Sequence, residues 1–187
     1  ATLSLEIPRE KGWLYEIKWD GIRALCFLQR NKVRYRSRNG IDLTAKFPEL
    51  QQLKKTRAKS AILDGEIVVF DEEGRPDFQA LQPRIMTAGK ASRARGSPDA
   101  ALLLFDVLYC DGYDLRNAPC EERKRVLASV VRETGQIRVS THIVDHGEEL
   151  LVLAREKGLE GLVAKRSGSL YEPRRSPHWR KIKLVRE

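Results

Sequence analysis

Glu16 Ile17 Lys18 Trp19 Asp20 Gly21 Ile22 Arg23 is the stretch that decides the fold. Alternation of apolar and polar residues through Tyr15 to Lys18 reads as a strand, Asp-Gly marks a turn, and Ile22 to Leu28 alternates again. Lys18 therefore stands at a strand end. Working outward, Gln29 to Lys32 is a polar break before the alternating Val33 to Tyr35, which makes a hairpin of antiparallel strands. Phe47 to Leu53 predicts a short helix with Pro48 in its first turn, and Ile62 to Phe70 a strand closed by a turn over Asp71 to Gly74. Leu102 to Tyr109 has the length of a buried strand. Helices are expected over Glu121 to Glu133 and over Glu148 to Glu156, the second ended by Gly158, with strands at Val139 to Val144, Leu162 to Lys165 and Trp179 to Leu184. The small, basic run Gly89 to Pro98 has no apolar anchor and reads as a loop. Hairpin-spaced strands with interspersed helices predict an α+β domain of packed antiparallel sheets with flanking helices.

At 187 residues the chain fits one domain, residues 1–187, without an interdomain linker or internal repeat. Its formal net charge of +9, set beside 41% hydrophobic residues, describes a folded basic domain whose expected partner is a polyanion. Three cysteines, Cys26, Cys110 and Cys120, without a Cys-x-x-Cys spacing argue against a disulfide framework or a zinc site. His142 and His146 have the spacing of a metal-binding helix pair, but they fall in and beside a strand, so they read as ordinary surface histidines. No apolar run approaches the ~20 residues of a membrane span and no signal-peptide pattern opens the sequence. A cytoplasmic protein without membrane association is the expectation.

A lone lysine before Asp-Gly is ordinarily a surface residue, but five further clusters follow Lys18 in order. They are Ser37 Arg38 Asn39 Gly40, Asp64 Gly65 Glu66, Phe105 Asp106, Glu160 Gly161 with Lys165, and Lys181 Ile182 Lys183. Together they supply cations, carboxylates and an aromatic ring, the groups needed to hold a nucleotide against a nucleophile. A lysine amine attacks phosphorus only when neutral, and at a free pKa of about 10.4 roughly one in 2,500 is neutral at pH 7. Bringing that pKa near 7 takes about 4 to 5 kcal/mol, from desolvation and neighbouring cations. Cations around Lys18 are therefore expected.

In this order the clusters resemble the covalent nucleotidyltransferase superfamily of ATP-dependent DNA ligases, RNA ligases and mRNA capping enzymes, and its ATP-grasp-like fold. The connecting stretches Asp71 to Gln82 and Tyr171 Glu172 Pro173 are similar to bacterial ligase D of non-homologous end joining. The resemblance implies that Lys18 takes AMP from ATP as a phosphoramidate, passes it to a DNA 5′-phosphate, and supports closure by the neighbouring 3′-hydroxyl.

It also implies the partners of Lys18. Arg23 contacts ribose or phosphate, Arg38 binds phosphate, and Lys181 and Lys183, alternating on one strand face, reach the α-phosphate. Glu66 accepts from the ribose hydroxyls and Glu160 holds a divalent ion, Mg2+ or Mn2+. Phe105 stacks on adenine with Val163 opposite, while Glu16 takes the exocyclic amine and the backbone of Ile17 the ring nitrogen, which disfavours guanine. Asp20 and Asp106 are expected as supports. Implied partners are nicked or broken double-stranded DNA, a DNA-end-binding repair protein, and the OB-fold and other modules of a parent ligase, the OB-fold being absent from this sequence. With those partners the resemblance implies a cytoplasmic protein associated with the bacterial nucleoid. The alternative readings are an RNA ligase, a capping guanylyltransferase using GTP, and a noncatalytic nucleic-acid-binding module.

Overall fold

A computed structural model describes residues 1–86 and 98–184. Along the chain run β1 (Thr2–Ser4), β2 (Trp13–Ile17), β3 (Ile22–Gln29), β4 (Lys32–Ser37), β5 (Ser60–Val69), α1 (Phe78–Met86), β6 (Ala100–Cys110) and β7 (Tyr113–Asp114). Then come α2 (Cys120–Val130), β8 (Ile137–Val139), β9 (His142–Val144), α3 (Gly147–Glu156), β10 (Gly161–Arg166) and β11 (Trp179–Lys183). One sheet has the order β1-β11-β10-β2-β9, and the other β4-β3-β5-β6-β7 with β8 added beside β6. Most pairings are antiparallel, as expected. The exceptions are β1 with β11 and β6 with β8, which are parallel.

Each sheet has its own core, and period-two alternation decides which side chains enter it. In β2, Trp13 and Tyr15 pack with Leu150 and Ala154 of α3, which leaves Leu14 and Glu16 on the opposite face. In β3, Ala24, Cys26 and Leu28 join Leu63, Leu104 and Leu127 in the larger core, which leaves Arg23, Leu25 and Phe27 on the other side. The segment between β2 and β3 carries the chain from one sheet to the other, and Lys18 lies in it, its backbone N–H donating to Gly161 O at 2.9 Å. Helix α2 starts after Pro119 with Glu121 and Glu122 in its first turn, where carboxylates favour the positive end of the helix dipole. Gly158, at φ +64°, ends the α3 segment in the left-handed conformation that glycine tolerates.

Several expectations are refined. The short helix after Phe47 is a 3-10 segment, Pro48–Lys55. The single strand expected over Val139 to Val144 is two: β8 pairs with β6, β9 with β2, and the buried Ser140 between them donates its N–H to Leu104 O. Helix α1, with Pro83 inside it, and the short strands β1 and β7 were not expected. Gly89 to Ser97 of the expected loop lies outside the described residues. Cys26, Cys110 and Cys120 are all free and buried. Among the described residues no three or more His, Cys, Asp or Glu side chains cluster to hold a metal, and no helix is long and apolar enough to cross a membrane.

Candidate active site

The inner faces of both sheets and the segment between β10 and β11 line a cavity of about 780 Å³. From the first sheet come Glu16, Ile17, Val163, Lys165, Lys181 and Lys183, and from the second Arg23, Glu66 and Phe105; Lys18 and Arg38 complete the wall. Sequence separation is large, but apart from Lys165 these are residues predicted from sequence, brought together by topology; the predicted Glu160 is not in the cavity lining and reaches the site through Lys18 and Lys183. Val163 of β10 and Phe105 of β6 line the cavity from different sheets.

Lys18 makes an ion pair with Glu160, which also contacts Lys183 at 3.1 Å. Burial opposes ionisation of Glu160, but its hydrogen bond from Lys18 and the charges of Lys18 and Lys183 hold its carboxyl below the ordinary range. Lys181 is depressed by burial and by the nearby Lys18 charge. The expected cations are therefore present, with a carboxylate among them. Arg38 lines the cavity and forms no ion pair with a described residue.

Arg23 differs from its expected role in having a protein partner already. Its Nε and one terminal nitrogen donate to Asp64 at 3.0 and 2.6 Å, and the same terminal nitrogen donates to the Tyr171 hydroxyl at 3.1 Å. Tyr171 in turn donates to Asp64 at 2.9 Å. The Asp64 hydrogen bonds raise the Arg23 pKa against the effect of burial. Glu66, on the same strand face, is pushed up to about 8 by burial, against the pull of Lys18 and Arg23.

Glu16 is also more constrained than expected. Only 2% exposed, its Oε1 takes Lys124 at 2.7 Å and Lys165 at 2.8 Å, so one carboxylate stands between two buried ammonium groups. Those two charges outweigh burial and keep Glu16 ionised at lower pH than usual. Lys165 also lies over the rings of Trp179 and Phe105, at 4.3 and 4.6 Å. Asp106 is a support as expected, since Arg123 grips it at 2.8 and 3.0 Å in full burial.

Asp64, Lys124, Lys165 and Tyr171 are the site residues not singled out for a role from sequence. Asp64 and Lys165 belong to the quoted clusters and Tyr171 to a quoted connecting stretch that carried no role, whereas Lys124 arrives from a helix face without a local signal.

A strand-switch lysine facing cations, two carboxylates and an aromatic wall defines a phosphate-handling nucleotide site. Residues 4–183 match the family model of the ATP dependent DNA ligase domain, and the chain belongs to that family. It is 40% identical over 182 residues to a multifunctional non-homologous end joining protein LigD of Pseudomonas aeruginosa, covering 96% of this chain and 21% of that protein. It is 34% identical to the SPbeta prophage-derived DNA ligase-like protein LigB of Bacillus subtilis, covering 92% and 62%. Among solved structures, the ligase domain of M. tuberculosis LigD superposes with a TM-score of 0.74 at 33% identity, covering 91% of this chain and 54% of that one. A mycobacterial DNA ligase D complexed with ATP and MES gives 0.75 at 31%, covering 98% and 60%. The chain thus spans less than two thirds of the length of these relatives.

Proposed function

We propose that residues 1–187 form the adenylation domain of an ATP-dependent DNA ligase of the end-joining type. The observation that carries this reading is the position of Lys18 on the floor of a cavity whose remaining walls hold Lys181, Lys183 and Arg38. The neutral Lys18 Nζ forms a bond to the α-phosphorus, the bond to the bridging oxygen breaks so that pyrophosphate leaves with that electron pair, and the nitrogen gives its second proton to solvent or to the departing pyrophosphate. Attack needs the lone pair of Lys18, so the ammonium first loses one proton to solvent, and the neutral amine can still donate an N–H to Glu160 as it attacks. Lys181, Lys183 and Arg38 take up the charge that collects on the phosphate oxygens. Phe105 and Val163 enclose the base, Glu16 and the backbone of Ile17 read its edge, and Glu66 and Arg23 face the ribose side.

A divalent ion fits this donor set only as Mg2+ or Mn2+ shared with substrate phosphates, since Glu160 is the carboxylate beside Lys18 and no larger acidic cluster exists among the described residues. Such an ion supplies charge neutralisation on the phosphates. The nucleic-acid substrate is nicked or broken double-stranded DNA, consistent with the net charge of +9. The greater length of the relatives supports further modules of a parent ligase, an OB-fold among them, as partners; a DNA-end-binding repair protein and a cytoplasmic location belong to the same proposal.

Intact-protein mass after incubation with magnesium and ATP or GTP tests the reading. One AMP added to the wild type, removed by pyrophosphate and absent in Lys18→Ala, is expected. A GMP adduct would move the chain to guanylyltransferase chemistry, and no adduct from either nucleotide, with an OB-fold module supplied in trans, would refute the proposal.

A further inference from the structure

A second depression, of about 880 Å³, lies at the β3–β4 hairpin end of the second sheet, and register puts its Phe27, Ile62, Tyr109, Lys32 and Arg34 side chains on the face that carries the nucleotide cavity. Its floor is Phe27 of β3, Ile62 of β5 and Tyr109 of β6, which are cross-strand neighbours in one row, all half-buried. Arg34 of β4 continues that row at the sheet edge, opposite Phe27. The adjoining row towards the nucleotide cavity is Arg36, Leu25 and Asp64, and Leu25 already lines that cavity. The two depressions are therefore one row of side chains apart, about 7 Å along the strands.

The rim is cationic for a reason of register. Lys32, Arg34 and Arg36 alternate on β4, so all three point to this face about 7 Å apart, and the chain then continues to Arg38 in the nucleotide cavity. All three are exposed, and none forms an ion pair with a described residue, although Arg36 donates to Gly40 O at 3.0 Å. Asp42 is the counter-charge nearby, feeling both Arg36 and Arg34. A line of evenly spaced cations bordering an apolar and aromatic floor is suited to a chain that carries regular negative charge and flat apolar faces. Duplex DNA hides those faces in its stack, whereas a single strand presents them.

We propose that this groove binds a single-stranded polynucleotide segment leading out of the nucleotide cavity, its phosphates on Lys32, Arg34 and Arg36 and its bases on Phe27 and Tyr109. The inference rests on the ligase reading above for the chemistry at Lys18, and assigns to the domain a tail-binding surface beyond it. Neither charged rim nor aromatic floor contributes to the adenylation chemistry, so the two can be separated.

The test is fluorescence anisotropy of a labelled single strand of about a dozen nucleotides, titrated with the full chain between ~50 and ~200 mM salt. In Lys32→Ala/Arg34→Ala the slope of log affinity against log salt should become shallower by about 1.4, at about 0.7 per phosphate contact. Phe27→Leu and Tyr109→Leu should each weaken binding about fivefold or more without changing the slope, and Tyr109→Phe should bind like wild type. Lysyl-AMP formation, measured on the same samples, should be retained in all of them and reports that each is folded. Single-strand binding unaltered in the charge and aromatic variants, with adenylation intact, would overturn the groove and leave the ligase reading standing. Equal sensitivity of a duplex to the same variants would overturn the single-strand assignment, as would a concentration-dependent dimer dissolved by the charge variant. Loss of adenylation in the wild type would instead count against the ligase reading.

Discussion

Arg23 and Asp64 form a bidentate pair, at 3.0 and 2.6 Å, in which the arginine side chain is 42% exposed and the aspartate is fully buried. That asymmetry makes the two deletions unequal. Arg23→Ala leaves a buried carboxylate with Tyr171 as its remaining partner, and an uncompensated buried charge costs about 3 to 5 kcal/mol. Asp64→Asn leaves an arginine that water can reach, and should cost about 1 to 3 kcal/mol. Urea unfolding of the two variants should rank them in that order. Asp64→Asn should nevertheless slow lysyl-AMP formation, because Arg23 loses the partner that aims it into the cavity.

Glu66 makes stability depend on pH in the direction opposite to an ordinary ion-paired carboxylate. Its folded pKa of about 8 lies above the unfolded value near 4.5, so between them the native state binds more protons than the unfolded state. Stability contributed by the neutral carboxyl is full below about pH 4.5 and falls as pH rises to about 8, by up to about 5 kcal/mol. Glu66→Gln should abolish this fall, leaving the variant more stable than wild type at pH 8. Denaturant midpoints at pH 5 and pH 8 measure it, and parallel curves for the two proteins would contradict the assignment.

Gly161 has φ +142°, and a Cβ there would lie 2.0 Å from Ile182 O across the β10–β11 pairing. Ile182 O belongs to backbone and cannot swing aside, so Gly161→Ala must move one strand off the other. Gly161 is opposite Lys183 in register and follows Glu160, so the displacement reaches the carboxylate that pairs with Lys18 and also that carboxylate's second cation, Lys183. A loss of about 3 to 5 kcal/mol and a fall in adenylation are expected together. Thermal melting and the rate of AMP incorporation would separate this from an effect on nucleotide affinity alone.

Strands β2, β3 and β4 were readable because they alternate with period two, and β6 because its apolar run has the length of a buried strand; in the structure the alternation of β3 puts Arg23 on the cavity face and Ala24 in the core. Family resemblance then ordered Lys18, Glu66, Glu160 and Lys181 into one site. What escaped was any partnership made by tertiary approach alone. Tyr171 reaches Arg23 across 148 positions, and Lys124 reaches Glu16 from a helix whose sequence reads as a basic surface face. The break between β8 and β9 was hidden for a related reason, since Ser140 is a strand-compatible residue redirected by its bond to Leu104.

Glu16 joins Lys124 and Lys165 in the most deeply buried charge cluster of the cavity wall, so its replacement tests both the fold and the choice of base. Glu16→Gln keeps the shape but leaves two ammonium groups, 4% and 1% exposed, without the anion that neutralises them. A loss of about 3 to 5 kcal/mol is expected. Lys124→Met relieves one of the two unmatched charges, so the double variant Glu16→Gln/Lys124→Met should recover part of that loss. On the proposed reading the same carboxylate would disfavour the carbonyl edge of guanine, so Glu16→Gln, whose amide can donate as well as accept, should narrow any preference for ATP over GTP in adduct formation. Unchanged selectivity in a variant that remains folded at the assay temperature would mean that the base is read by groups other than Glu16.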